Sequence, residues 1–489
     1  MKKTLSIIIA IAMIAAMALP MGIFASADAP QEFATWDEIA AAANENYGEG
    51  NYKLTADSAA TVSIEGFFGS FDGGDHVITS SVTLFVEVSG GATIKNFTVN
   101  QAKDAEGKDV VFYTNPVVSL AAGSSAETPI WISGVTNNVN VIEHPEDQSP
   151  IAGILGYADS ENWIYIYDVV NNGDMYSRNQ TGGIVGNCGH ASGHTYLTIY
   201  NAVNNGDVFA NNSYAGGIVG NVNAQLTADF KYCINNGKVC AENDAGGMIG
   251  QVNGSAEGTF SYCANSGVID QNPIINAETG EKQVNPEKVG AKYGAAGICP
   301  RFSSANVTIA MDNCVVMGAL DADANADGSA TSSADPFNGY TKDGQGIITL
   351  TNCTYLHGMS AIGEFAATLV EGATGFAAAD QVACQAAFDA IVAAAPNQAA
   401  PVTSGVEGED TPADGDDTTV DAGDDTTVDA GDDTTKPAGD NTTKPADTTK
   451  PTATTTAAAE EGGCGSSISL AIVAVAAVGA VAIARKKED

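Results

Sequence analysis

The chain has 489 residues, of which 59 are acidic and 20 basic, for a formal charge of −39. So acidic a surface repels phosphate backbones and anionic lipid, which excludes nucleic acid as a partner. The length would hold about three ordinary domains, but both ends and a low-complexity tract reduce the folded part to one region.

The N-terminus opens with Lys2 and Lys3, an apolar run over 5–18, and then Ala25-Ser26-Ala27. Basic start, apolar centre and small residues read as a secretory signal peptide over 1–27, processed after Ala27. A retained N-terminal anchor is the alternative, although the run is short for a span. Residues 28–50 then form an N-terminal cap, with a short helix predicted over 34–46, "ATWDEIAAAANEN".

From 51 to 358 the sequence repeats. Gly183-Ile-Val-Gly186, Gly217-Ile-Val-Gly220 and Gly247-Met-Ile-Gly250 start 34 and 30 residues apart, and each is followed by Asn-Asn-Gly or Asn-Ser-Gly. A fixed period of this size means stacked supersecondary units. Aligned on Gly173, Gly206, Gly237 and Gly267, the columns Ile166/Ile199/Phe230/Phe260, Val169/Ala202/Cys233/Cys263 and Met175/Val208/Val239/Ile269 are all apolar. Columns between them are often polar, as expected of short strands with one buried face. Glycine at each corner permits positive φ or close backbone approach. Helical repeats are the alternative, but the units lack a 3.6-residue period and are rich in Gly, Asn, Val and Tyr. Looser coils extend both ways, with an insertion at 270–293 and "LTNCTYLHG" as a candidate last rung.

"AGGIVGNVN…YCINNGKV" resembles the GLUG repeat of bacterial surface proteins, clearly over 150–270 and more loosely over 51–358. The resemblance implies a right-handed parallel β-helix on an exported protein, and no activity. Some GLUG proteins are metallopeptidases; no HExxH stands here, so that role is not carried over.

Residues 359–397 are expected to cap the far end. Within them 376–395 read as an Ala-rich amphipathic helix, with Phe376, Val382, Phe388 and Val392 near one face. Residues 398–465 form a stalk of Asp, Thr and Pro; 401–460 alone hold 15 acidic residues and three Lys. Such a composition does not offset chain entropy and stays disordered and extended. Residues 466–484 carry no charge and suit one transmembrane helix, and Arg485, Lys486 and Lys487 place the 485–489 tail in the cytoplasm. Gly462-Gly463-Cys464-Gly465 before the span resembles the GlyGly-type tails of bacterial surface proteins, which makes Cys464 a candidate processing or lipidation point. The expected fold is therefore an all-β parallel β-helix solenoid with helical caps, a disordered acidic stalk and one C-terminal membrane helix, displayed at the cell surface.

Four groups of residues could carry chemistry. Asp323, Asn325 and Asp327 before Gly328 resemble the first half of a calcium loop, without its closing Glu. Cys188, His190 and His194 have zinc-like spacing but lack a fourth ligand. Tyr165, Tyr167 and Tyr200 fall in outward columns near Asp168 and Asn201, where aromatic faces and polar groups suit sugar rings. Asp174 and Asp207 stack beside Asn-Gly corners, where turn chemistry explains them. Cysteines in columns otherwise filled by Val or Ala read as free core thiols, which outside the cell suits an anaerobe. The sequence thus points to a non-enzymatic surface protein of a Gram-positive bacterium, engaged in adhesion to a glycan or host-surface component. No cofactor is expected beyond possible calcium. The alternatives are a carbohydrate-active β-helix enzyme (a polysaccharide lyase or glycosidase) and a purely structural envelope protein.

Overall fold

A computed structural model describes residues 29–396, apart from 143–148, 160, 190–192, 212, 271–273, 276–281, 284–293, 305, 319, 322–332, 342–345, 357–367 and 370–375. The signal peptide, stalk, membrane segment and tail expected above lie outside the described residues. No helix among the described residues is long and apolar enough to cross a membrane.

The folded part is a parallel β-helix. Its longest wall takes one strand from each successive coil: Ser70–Ser80, Thr93–Gln101, Ile130–Asn138, Asn162–Asn171, His194–Asn204, Gln225–Lys231, Ala256–Ser261, Val307–Asp312 and Ile347–Thr351, each parallel to the next. A second wall runs from Phe85–Ser89 to Asn338–Thr341, a third from Ile151–Ala152 to Ser333–Asp335, and a fourth from Met175–Ser177 to Leu320–Asp321. The insertion at 270–293 contributes an antiparallel hairpin, Ile274–Ile275 with Lys282–Gln283.

Registration follows the columns read from the sequence. Ile94, Ile132, Ile166, Ile199, Phe230, Phe260, Met311 and Leu350 align rung to rung and are all buried. Burying each such side chain contributes about 1.5–3 kcal/mol. Asn137, Asn171, Asn204, Asn235 and Asn265 form an internal ladder. The first four amide nitrogens donate to the next rung's amide oxygen at 2.7–2.8 Å, and all five donate to a carbonyl two residues on. The buried turn groups are thereby satisfied.

The repeated glycines serve close approach. A side chain at Gly217 would meet the Asn235 amide at 2.3 Å and the Gly247 carbonyl at 2.4 Å. One at Gly220 would lie 2.4 Å from the Gly186 carbonyl and 2.6 Å from Thr181 backbone. The second and third walls thus press together backbone to backbone, with no room for a Cβ.

Helix α1 (Trp36–Glu45) begins at a capping box, Thr35 with Glu38. Its Trp36 meets Phe71 and Phe85 edge-on, each at 5.3 Å between centroids, and donates Nε1–H to the Val62 carbonyl at 2.7 Å. Helix α2 (Gln381–Ala394) is shorter than expected. Phe376–Ala379 is a strand paired with Cys353–Leu356, and Asp380 accepts from the Ala383 amide to start the helix. Phe376 therefore belongs to the last rung rather than to a helical face, and Val382 is 78% exposed. The buried stripe is Cys384, Phe388 and Ile391, spaced i, i+4, i+7. This stripe packs on an outward apolar column of the solenoid flank: Val203, Ile234, Ala264 and Val315. The helix runs back from the last rung to the level of Asn201, whose Nδ2 donates to the Pro396 carbonyl.

Candidate functional site

The long wall positions the tyrosines singled out in the sequence. In the strand Asn162–Asn171, Ile164 and Ile166 point inward, which turns Trp163, Tyr165 and Tyr167 outward. Register sets Tyr165 beside Trp131, Tyr167 beside Tyr200, and Trp163 beside Tyr196. The rings stack. Centroids lie 4.3 Å apart for Trp131–Tyr165, 4.0 Å for Trp163–Tyr196 and 4.2 Å for His194–Tyr196, with planes within 19° of parallel. Tyr167 and Tyr200 are tilted by 42° at 5.9 Å. Three members, Trp131, Trp163 and Tyr196, escaped the sequence reading. Stepping back one period from Tyr165 or Tyr196 lands on a tryptophan, and that was the available signal.

Stacking changes what the face presents. Rings a rung apart at this spacing cover one another's faces, so their edges and phenolic oxygens are left for solvent. Partial burial raises the pKa of Tyr165, Tyr167 and Tyr200, which keeps the phenols protonated as hydrogen-bond donors. The expectation of open ring faces is met only in part: the rings are outward and adjacent, but pre-stacked.

Polar groups continue the same wall. His194 Nε2 lies 2.9 Å from Thr227 Oγ1, Thr227 donates to Glu257 Oε1 at 3.2 Å, and Thr259 donates to Asp229 Oδ1 at 2.6 Å. The Lys231 ammonium sits 5.9 Å from the centre of Tyr200 and 5.3 Å from that of Tyr232. Tyr232 stacks on Tyr262 at 5.2 Å.

Asp168 and Asn201 have a second duty. They share a corner with Asn96, Gly134, Tyr232, Tyr262, Asn313 and Asn352, all at positive φ. Asn, Asp and Gly tolerate that region; a tyrosine there is strained. The Tyr232–Tyr262 stack and helix α2 against both rings hold the strained pair. Asn201 Nδ2 also donates to Asp168 Oδ1 at 2.6 Å.

Asp174 and Asp207 are tied to turns. Asp174 Oδ1 accepts from the Asp207 amide and Asp207 Oδ1 from the Lys238 amide, both at 2.8 Å. Burial raises both carboxyl pKa values, opposed by those same backbone bonds.

Another carboxylate was missed. Asp244, fully buried at the start of the strand Asp244–Gly246, lies 3.7 Å from Arg301 Nη1, and neither carboxylate oxygen has a hydrogen-bond partner among the described residues. Burial pushes its carboxyl up to about 8, with Arg301 pulling the other way. Perturbed carboxyls mark active sites when a substrate can reach them; with 0% exposure Asp244 offers no such access.

Cys188 points into the core in register with Val222, and His194 is on the outer wall, so the two do not converge on a metal; His190 lies outside the described residues. No cluster among the described residues has the makings of a metal site. Asp323, Asn325, Asp327, Ala27 and Cys464 all lie outside the described residues.

No family model matches the chain, and no curated protein matches it. Among solved structures it is similar to a Bacteroides ovatus protein described provisionally as an immunoglobulin A1 protease. The two share 18% identity at a TM-score of 0.38, over 66% of this chain and 86% of that one.

Proposed function

We propose that this protein is a non-enzymatic cell-surface β-helix whose long wall adheres to a glycan on a host or neighbouring surface. The observation that carries the reading is the outward cluster of Trp131, Trp163, Tyr165, Tyr167, Tyr196 and Tyr200 on adjacent rungs. Rigid aromatic side chains supply contact area at low entropic cost, and their stacking holds the phenolic donors in fixed positions for sugar hydroxyls. The exported, stalked layout of the sequence supports display outside the cell, with membrane attachment through 466–484. A carbohydrate-active enzyme would need reachable, cooperating carboxylates; Asp174 and Asp207 are committed to backbone amides and Asp244 is enclosed.

The test is a glycan array and a polysaccharide-degradation screen on the whole chain, beside a Tyr167→Ser/Tyr200→Ser variant. Binding should fall about ten-fold or more in the variant, with its far-ultraviolet β signal unchanged. Undiminished binding by a folded variant would remove this face as the site, and release of reducing sugar would favour the enzyme.

A further inference from the structure

The polar half of the same wall specifies which glycans it can take, an inference that rests on the glycan reading above. Four rung steps separate Ile130–Asn138 from Ala256–Ser261, about 19 Å at the usual strand spacing. Aromatic rings occupy the first half of that run. Thr198, Thr227, Asp229, Lys231, Glu257, Thr259 and the edge of Tyr232 occupy the second.

Charge on this half is one-sided. Asp229 and Glu257 are carboxylates, and Asp168 stands exposed at the adjoining corner. Among the described residues of these wall strands the one ammonium, Lys231, is directed over Tyr200 and Tyr232. Each carboxylate is oriented by a threonine hydroxyl from a neighbouring rung through a single oxygen, Oδ1 of Asp229 and Oε1 of Glu257. The second oxygen of each remains to accept a hydrogen bond. A carboxylate held this way takes hydroxyl donors and repels a ligand carboxylate or sulfate.

We propose that Asp229 and Glu257 are specificity-determining residues that accept hydrogen bonds from sugar hydroxyls. The wall then selects an extended glycan chain free of carboxylate and sulfate groups, lying along the solenoid axis with one part against the aromatic edges and the next against these acids.

The experiment titrates the whole chain with two neutral polysaccharides, a soluble β-glucan and a galactomannan, and two anionic ones, polygalacturonate and chondroitin sulfate, at low and moderate salt. Asp229→Asn and Glu257→Gln are measured beside the wild type. Both are near-isosteric and leave the orienting threonines a carbonyl acceptor. A neutral polysaccharide should bind, with the anionic ones at least ten-fold weaker at low salt. Each amide variant should lose about ten-fold toward the neutral ligand, the usual scale for a hydrogen bond to a charged group, and should narrow the gap to the anionic ones. Anionic polysaccharides binding as tightly as neutral ones, with binding still lost in Tyr167→Ser/Tyr200→Ser, would overturn the selectivity and leave the aromatic site standing. Neutral binding untouched by both amide variants would overturn the assignment of the two acids. Absence of binding in both classes would defeat the glycan reading itself, and this inference with it.

Discussion

The N-terminal rungs and the glycine-rich rungs solve the same packing problem in opposite ways. Near the N-terminus, Trp36, Tyr52, Phe67, Phe71, Phe85 and Phe97 fill a broad interior with ring against ring. Between 150 and 270 the second and third walls touch through backbone alone, and asparagines stack where the chain turns. Side-chain volume fills the first region throughout, whereas the second keeps an apolar column along its long wall and closes its other side by the absence of side chains. Removing atoms should therefore damage one, and adding them the other.

The sharpest break of that comparison is Gly220→Ala. Its Cβ would lie 2.4–2.6 Å from backbone atoms of two neighbouring segments, which no rotamer can relieve. The loss should exceed about 4 kcal/mol, in the class of severe overpacking. Phe85→Ala should lose about 3–5 kcal/mol by leaving a cavity among the rings of Trp36, Phe67 and Phe71. Denaturant unfolding checks both; a Gly220→Ala cost below about 1 kcal/mol would mean that the two walls can separate freely.

Asn204→Ala comes next. It removes donors to Gly206 and Asn235 and the acceptor used by Asn171, all buried. At about 1–3 kcal/mol for each group left unsatisfied, a loss of about 3 kcal/mol is expected. Asn205→Ala breaks the parallel outer ladder, Asn172–Asn205–Asn236, where Asn172 is exposed and only Asn236 is buried, and should cost about 1 kcal/mol. Equal costs would show that the inner ladder is not what satisfies the turns.

These two sites also show what a sequence can disclose. The Asn ladder and the Ile166–Ile199–Phe230–Phe260 column were legible because each recurs at one period, and a period fixes register in a parallel solenoid. The function of the glycines was legible only as two options, positive φ or close approach; Gly217 and Gly220 take the second. The aromatic cluster was half legible. Tyr165, Tyr167 and Tyr200 lie in clean repeats, whereas Trp131 belongs to a coil whose motif has drifted, and ring orientation is no property of a column. Asp244 and Arg301 were hidden by the insertion at 270–293, which separates neighbouring rungs in sequence. Helix α2 was found with Phe388 and Val392 on its packed side, but its start was placed too early, because Phe376 lies in the preceding strand and Val382 faces solvent.

Asp244→Asn tests the walls where they enclose a charge rather than a glycine. The Asp244 carboxyl is pushed up to about 8 by burial, against about 3.9 in an unfolded chain. Between those values the folded chain holds a proton that the unfolded chain has released, so stability falls as pH rises from about 4 to about 8. Below and above that window this group adds no slope. Asparagine keeps the shape and does not titrate, so the variant should match the wild type near pH 4. By pH 8 it should be the more stable of the two by a few kcal/mol, since each pKa unit between the folded and unfolded values corresponds to about 1.4 kcal/mol. Destabilisation at pH 8 would show that the Arg301 contact outweighs the desolvation.

The smallest effect is expected in the thiol column. Cys233, Cys263, Cys314 and Cys353 each precede a residue registered on the next rung, so the four sulfurs stack one per coil, where earlier coils carry Val169 and Ala202. Each thiol sits 3.3–3.6 Å from a carbonyl oxygen of the preceding coil. A thiol is a weak donor and behaves as a small hydrophobe, and valine already fits this column at 169. Cys263→Val should therefore change stability by less than about 1 kcal/mol. The same column should resist alkylation in the folded protein, because burial raises the pKa of Cys263 and Cys314 well above the ordinary thiol range and leaves little thiolate. A loss above about 3 kcal/mol, or rapid labelling of the native chain, would mean that the sulfurs form a cooperating or accessible group rather than a filler between rungs.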